Sequence, residues 1–393
     1  MAKTLIDIVN FNSDASCLYS ESWLSFLSGG KQSYFYRWLE LYVQQKKNIV
    51  LGLTGATICD VKAFNPEAIE LINHNPEIFE IILRPFSHDI ALYRSNDGFN
   101  TNLDTGIQLI RQEFQNVNDF FLPPEFMLKS CHIKALANRN IKGCFIYASR
   151  YAPDIRSRIP EHPYTVTGVQ DSNLNCIPIE RGIANIYLES IQLYDDNRWN
   201  RFILRNNKET IFSWRDGESI FLIPDGLERE NFWLDTESPQ IKRCMLKQID
   251  ITFKESSDLH PQQLHGYPIQ SFLAWAREMK MLWFVEEVKQ IEDQINSLNS
   301  FQISVWLQLI NSDILAAVEK ISPQISIKKV KDSSEIDSHI IYRSERGLEG
   351  ENCLLAFYEG IEALNTITMK KYYYRIKFLE KFLEKGKTKY AGF

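Results

Sequence analysis

Five side chains have types and placings that could do chemistry: Asp14, His88 with Asp89, Glu125 and Asp225. Each follows a short apolar run. Asp14 comes after TLIDIV (4 to 9), the His-Asp pair of RPFSHDIAL after FEIILRP (79 to 85), Glu125 after VNDFFL (117 to 122), and Asp225 of SIFLIPDGLERENFW after the run 219 to 223. Two carboxyl groups facing each other can act as nucleophile and general acid/base. An imidazole beside them can hydrogen-bond a substrate hydroxyl or orient a carboxylate. Glu125, in FLPPEFMLKS, is braced by Pro123 and Pro124. Pro suits the first turn of a helix and Glu favours its N-terminus, so a helix cap is the plain alternative to a presented acid.

The elements that must position these groups are legible in the first 150 residues. Strands are expected at 4 to 9, 48 to 55, 79 to 85, 117 to 122 and 143 to 148, with amphipathic helices such as NTNLDTGIQLIRQEF and EFMLKSCHIKALANRNIKG between them. Such alternation predicts a mostly parallel sheet, doubly wound or closed into a barrel. Right-handed crossovers then bring every strand's C-terminal end to one side. In barrels that rim carries the chemistry.

From about 150 to 260 the pattern predicts inserted β elements: NIYLESIQLYDDNRWNRFIL and ETIFSWRDGESIFLIPDG read as strands, hairpins or long loops, and HPYTVTGVQDSNLNCIPIERG as an irregular excursion. From 265 the chain turns helical. The expected units are a β/α domain over 1–260 and a helical region over 261–393 packed on it. The basic amphipathic stretch from Met369, with Lys370, Lys371, Arg375, Lys377, Lys381 and Lys385, is expected to dock as a terminal helix with a solvated cationic face.

Composition narrows the class. With 44% hydrophobic and 24% charged residues the chain is globular, and a net charge of −6 gives no basic face for nucleic acid. Seven dispersed cysteines without a CxxC pair point to reduced thiols in the cytoplasm. The apolar run at the N-terminus is too short and too interrupted by Asp7 for a signal peptide, and no segment reaches the ~20 apolar residues of a membrane span. The composition leaves the oligomeric state open.

On these residues the chain resembles glycoside hydrolase family 57, relatives of the polysaccharide deacetylases and α-mannosidases. The family's strand ending in Trp-x-Pro-Glu, followed by a helix, a Gly and the next strand, is similar to LPPEFMLKSCHIKALANRNIKGCFI, with Leu122 where Trp is usual. The resemblance implies Glu125 as nucleophile. RPFSHDIAL resembles the family's Tyr/Phe-x-His element, placing His88. The family's Asp-x-Glu element, with aromatics behind it, is matched loosely by IFLIPDGLERENFW: Asp225 would be the acid/base, Glu228 comes one residue late, and Trp233 would be the aromatic. WLQLINSDILAAVE resembles the helix bearing a Ser-Asp pair, implying Ser312 and Asp313 at the site. The resemblance spans residues ~1 to 320. The family opens with His-x-His at the end of the first strand, where this chain has Asn10 and Asn12. Asn can hydrogen-bond a sugar hydroxyl but cannot take up a proton as His does.

The resemblance implies a distorted (β/α)7-type barrel with inserted β elements and a C-terminal helical region. It implies a carbohydrate-active enzyme, a retaining glycoside hydrolase or transglycosidase, on an oligo- or polysaccharide or sugar conjugate. Catalysis would fall to Glu125 and Asp225, and substrate binding to His88, Asn10, Asn12, Asp14, Trp233 and Asp313. Trp214 and Trp306 are further stacking candidates, and Asp235 and Glu237 reserve acids. No cofactor is expected, but Asp14, His88 and another carboxylate from separate strands leave a divalent metal open. Two alternatives stand beside this reading: a metal-dependent deacetylase or amidohydrolase on the same barrel, and a barrel that binds glycans or serves as a scaffold without catalysis.

Overall fold

A computed structural model describes residues 2–12, 26–27, 29–147, 162–167, 172–180, 182–255, 289 and 292–311. Strand β1 (Lys3–Phe11) opens the sheet. It pairs in parallel with β2 (Ile49–Leu53) on one side and β8 (Thr210–Asp216) on the other. From β2 the sheet continues in parallel through β3 (Phe79–Leu83), β4 (Val117–Phe121), β5 (Gly143–Tyr147) and β7 (Asn173–Ile179). Just past the end of β7, Glu180 N donates to Phe212 O of β8 at 2.8 Å and closes the circle. Seven strands thus form a barrel, all pointing one way. β6 (Tyr164–Thr167) runs antiparallel beside β7, β10 (Lys254–Glu255) extends it, and β9 (Ile241–Arg243) pairs with the start of β1.

The strands form where expected because both faces are buried. β2 and β3 are buried at every position, which selects continuous apolar runs. The helices around them are α1 (Tyr34–Gln45), α2 (Gly55–Phe64), α3 (Pro66–His74), α4 (Asn96–Glu113), α5 (Ser130–Ala137), α6 (Ile183–Leu193), α7 (Asp196–Arg205), α8 (Gly226–Thr236) and α9 (Ser300–Leu309). Ser33, Thr54 and Ser95 start α1, α2 and α4 by accepting from Tyr36, Thr57 and Gly98 N–H groups.

Three expectations for 150 to 260 are corrected. NIYLESIQLYDDNRWNRFIL is α6 and α7, not β structure. Ile183, Tyr187 and Ile191, then Trp199 and Ile203, recur at helical spacing and are buried; their β-branched and aromatic types mimic a strand pattern. HPYTVTGVQDSNLNCIPIERG contains the β6–β7 hairpin, and β7 is a barrel strand. The run 219 to 223 is no strand: Gly217–Leu222 is a 3-10 segment following β8.

A buried charged network ties the helix layer to the barrel. On β1 and β8, Asp7, Ser213 and Arg215 face outward. Ser213 Oγ donates to Asp7 Oδ1 (2.8 Å), and Arg215 reaches Asp7 (3.4 Å) and Glu230 of α8 (3.0 Å). Arg243 of β9 pairs with Asp7 (2.6 Å) and Glu237 (2.9 Å). Burial works to raise the Asp7 carboxyl, but the Arg215 and Arg243 guanidiniums outweigh it and hold it at about 2.

Candidate active site

The end of β4 leads into a tight turn rather than a helix. Pro123 is extended, Pro124–Phe126 form one 3-10 turn, and Phe126 N and Met127 N donate to Pro123 O and Pro124 O, each at 3.0 Å. Inside that turn Glu125 adopts φ 50, ψ 17, and Phe126 has φ 55. Left-handed backbone costs a non-glycine residue about 1 kcal/mol or more, and such strain gathers at functional sites. Since α5 starts only at Ser130, Glu125 caps no helix. Its side chain stays 23% exposed, with Oε1 3.8 Å from His88 Nε2.

His88 comes from the loop after β3. Arg84, buried at the end of that strand, donates Nη1–H to Leu122 O (3.1 Å), and Leu122 N donates to Leu83 O (3.0 Å), so the β3 and β4 tips are locked together. Burial, helped by the Arg84 guanidinium, pushes the His88 imidazole well below its ordinary range. It is a neutral ring facing a carboxylate, too far for a direct hydrogen bond.

The tips of β1 and β8 form the next part of the rim. Asn10 lies in register with Asp216, and its Nδ2–H donates to Asp216 Oδ1 at 3.0 Å. Asn10 Oδ1 and Asn12 Oδ1 are buried, with no hydrogen-bond partner among the described residues. Buried acceptors of this kind are costly to leave unsatisfied. The residue after Asp216 must be glycine: a Cβ on Gly217 would meet Phe11 Cζ at 2.2 Å. Trp214, two residues before Asp216 and so on the same face of β8, is half-buried. It meets Phe126 edge-on, with centroids 5.1 Å apart at 73°. That contact ties the Glu125 turn to the strand that ends in Asp216.

The other expected residues fall elsewhere. Asp225 is exposed at φ 55 and heads α8, nine residues past the end of β8. Trp233 is 2% exposed, in the helix layer. It packs edge-on against Tyr187 (4.9 Å) and Trp199 (5.1 Å) beneath the Arg215 and Arg243 guanidiniums, away from the rim. Trp306 is fully buried. Glu237 is spent on Arg243 and Lys47, and Asp235 is exposed on α8. Asp14, Ser312 and Asp313 lie outside the described residues, as do the stretch from Met369 and most of the expected helical region. No three His, Cys, Asp or Glu side chains among the described residues stand close enough to share a metal ion.

Asp216 is the rim residue that sequence reasoning missed. The signal was present: Asp216-Gly217-Glu218 has Asp-x-Glu spacing without adjustment, with Trp214 just ahead of it. The apolar run Ile220–Ile223 drew the strand end too far downstream.

No family model matches the chain, and no curated protein matches it in sequence. Solved structures do match. A GH57-type branching enzyme from Pyrococcus horikoshii superposes with a TM-score of 0.64 at 11% identity, covering 98% of this chain and 95% of that one. A GH57 branching enzyme from Thermococcus kodakaraensis gives 0.61 at 10%, with the same coverage. A 4-alpha-glucanotransferase from Thermococcus litoralis gives 0.55 at 12%, over 94% of this chain; the chain spans only 60% of that enzyme's length. No described helix is long and apolar enough to cross a membrane. The closed seven-stranded barrel and these superpositions together give the chain the distorted β/α barrel fold of the family 57 glycoside hydrolases.

Proposed function

We propose that the chain is a retaining glycoside hydrolase or transglycosidase acting on an α-linked glucan, with Glu125 as nucleophile and Asp216 as acid/base. The observation that carries this reading is the Phe126–Trp214 contact, which joins the turn bearing Glu125 to the strand tip bearing Asp216. The names of the structural neighbours, among them glucanotransferase and branching enzyme, support a glucan substrate. In the first step the Glu125 carboxylate forms a bond to the anomeric carbon while Asp216 gives its proton to the departing glycosidic oxygen. In the second, Asp216 takes a proton from water or from a sugar hydroxyl, whose oxygen displaces Glu125.

The surroundings fit these roles. The strained, proline-braced turn fixes the nucleophile, and fixed placement is worth much of the barrier. Asn10 orients Asp216 through its amide N–H, leaving Asn10 Oδ1 and Asn12 Oδ1 to accept from sugar hydroxyls. Trp214 offers a ring for stacking, and His88 a neutral imidazole beside Glu125. The free thiols of Cys59, Cys131, Cys144, Cys176 and Cys244 support a cytoplasmic setting.

Two substrates test the assignment. Glu125→Gln should lose at least about a thousandfold in turnover on maltooligosaccharides and on aryl glucosides alike. Asp216→Asn should lose about 10²–10⁴-fold on maltooligosaccharides, the usual worth of a general acid. With 2,4-dinitrophenyl glucoside, whose leaving group needs no proton, it should still release a burst of phenolate. Equal losses on both substrates would remove Asp216 from the acid role. The amides at positions 10 and 12 favour one second reading, a barrel that binds glucan without turning it over. Saturable maltooligosaccharide binding with no product from any glucan would establish it.

A further inference from the structure

Both sequence neighbours of His88 are fastened to a stretch far downstream. Ser87 Oγ donates to the Leu307 carbonyl, and Asp89 pairs with Asn311 in an antiparallel bridge. The fastening continues through Arg94. Its Nε donates to Asp89 Oδ1 at 3.1 Å and its Nη1 to Glu292 Oε1, while Glu292 Oε2 accepts from Ser95 N at 2.8 Å. The Arg94 carbonyl in turn accepts from Lys129 Nζ, at the far end of the turn that carries Glu125. Asp89, Arg94 and Glu292 are all buried. Space for the glutamate is built into α4: a Cβ on Gly98 would stand 2.8 Å from Glu292 Cδ.

Three segments that approach the site from different parts of the chain therefore meet on Arg94, two at its guanidinium and one at its carbonyl. They are the loop that carries His88, the stretch leading out of the Glu125 turn, and residues 292–311. Buried charges hold such a geometry tightly, because letting one go leaves its partner uncompensated. A link that only stabilised the fold could sit anywhere on the barrel, but this one brackets the imidazole that faces Glu125.

We propose that Glu292 is a positioning residue: acting through Arg94 and Asp89, it fixes the loop that aims His88 at Glu125. The inference rests on the assignment of Glu125 and His88 to the active site. It makes the segment after residue 292 part of the catalytic unit.

A double-mutant cycle in the full chain tests it, read by kinetics on maltooligosaccharides and by the imidazole ¹H–¹⁵N signals of His88. Glu292→Gln should lower kcat about tenfold with KM changed less than about twofold. In a His88→Ala background the same substitution should change kcat less than about twofold, since effects along one chain of contacts do not multiply. The His88 signals should shift in Glu292→Gln while those of His74 stay in place. Gly98→Ala, which crowds the glutamate without removing it, should move the same signals and serves where Glu292→Gln does not fold. Multiplying kinetic effects together with an unmoved His88 spectrum would overturn the proposal and leave Glu292 a structural residue. Were the wild type to turn over no glucan, the spectra alone would decide the positioning claim, and the proposed function would fail separately.

Discussion

Glu125 and Asp216 differ in how their backbones present them. The glutamate is held in a left-handed turn between prolines, the aspartate at a regular strand end closed by Gly217. Asp225→Asn is expected to leave kcat/KM within about twofold of wild type, since the residue is exposed at the head of α8, while Asp216→Asn is expected to lose about 10²–10⁴-fold; matched kinetics of the two variants check this. The histidines give a second residue-scale expectation. Burial pushes His88 well below its usual range, and burial with Lys129 nearby takes His132 down to about 3. Both rings are neutral in the native state, whereas the unfolded chain protonates near pH 6.5. Stability conferred by the neutral rings is therefore full above about 6.5 and is lost as pH falls, for His132 until about 3. Each histidine contributes about 1.4 kcal/mol per pH unit of slope. The Asp89 carboxyl, raised by burial to about 7 despite Arg94, opposes this slope down to the unfolded carboxyl range. His132→Gln, compared with wild type by urea unfolding at pH 6, 5 and 4, isolates one histidine: its stability should fall about one proton's worth less steeply. Glu125 and His88 stood out in the sequence because each follows a strand-like run, 117 to 122 and 79 to 85. Asp216 was hidden because β8 ends Trp-Arg-Asp, with Arg215 buried by ion pairs that no local pattern announces.

At the scale of elements, the packing between strand tips and helices explains both what was readable and what was not. The strands β1 to β5 were legible as largely apolar runs; β2 and β3 are buried at every position, while Asn118 and Asp119 interrupt β4. β7 was not, because its Asn173 and Asn175 lie at the end away from the rim and break the run. The helices α6 and α7 carry strand-like residue types at helical spacing, and spacing was the better guide. The Asp7–Arg215–Arg243 network joins β1, β8 and β9 to α8. Arg215→Met should cost about 3–5 kcal/mol in urea unfolding, because it leaves Glu230 a buried charge without its cation and Asp7 with Arg243 alone. Gly217→Ala should cost about 1–3 kcal/mol by overpacking against Phe11, and should also lower turnover by displacing Asp216. A normal kcat in a destabilised Gly217→Ala protein would show that the β1–β8 tip does not set the aspartate's position.

For the whole molecule, closure of the barrel brings five strand tips into one rim: β1 with Asn10, β3 with the His88 loop, β4 with Glu125, β7 against β8, and β8 with Asp216. The alternation of strands and helices made a parallel sheet legible, and the family resemblance implied that it closes into a barrel. Closure by β7 and β8, and the reach of residues 292–311 to the His88 loop, depend on contacts between distant parts of the chain that no window of sequence contains. As nucleophile, Glu125 would form a covalent bond to the sugar. A 5-fluoro-α-glucosyl fluoride, which forms the glycosyl-enzyme faster than water can release it, tests this in one measurement: intact-protein mass followed by peptide mapping. A single fluoroglucosyl adduct is expected on the peptide containing Glu125, absent in Glu125→Gln. An adduct on any other carboxylate, or an active enzyme inactivated without any adduct, would contradict it.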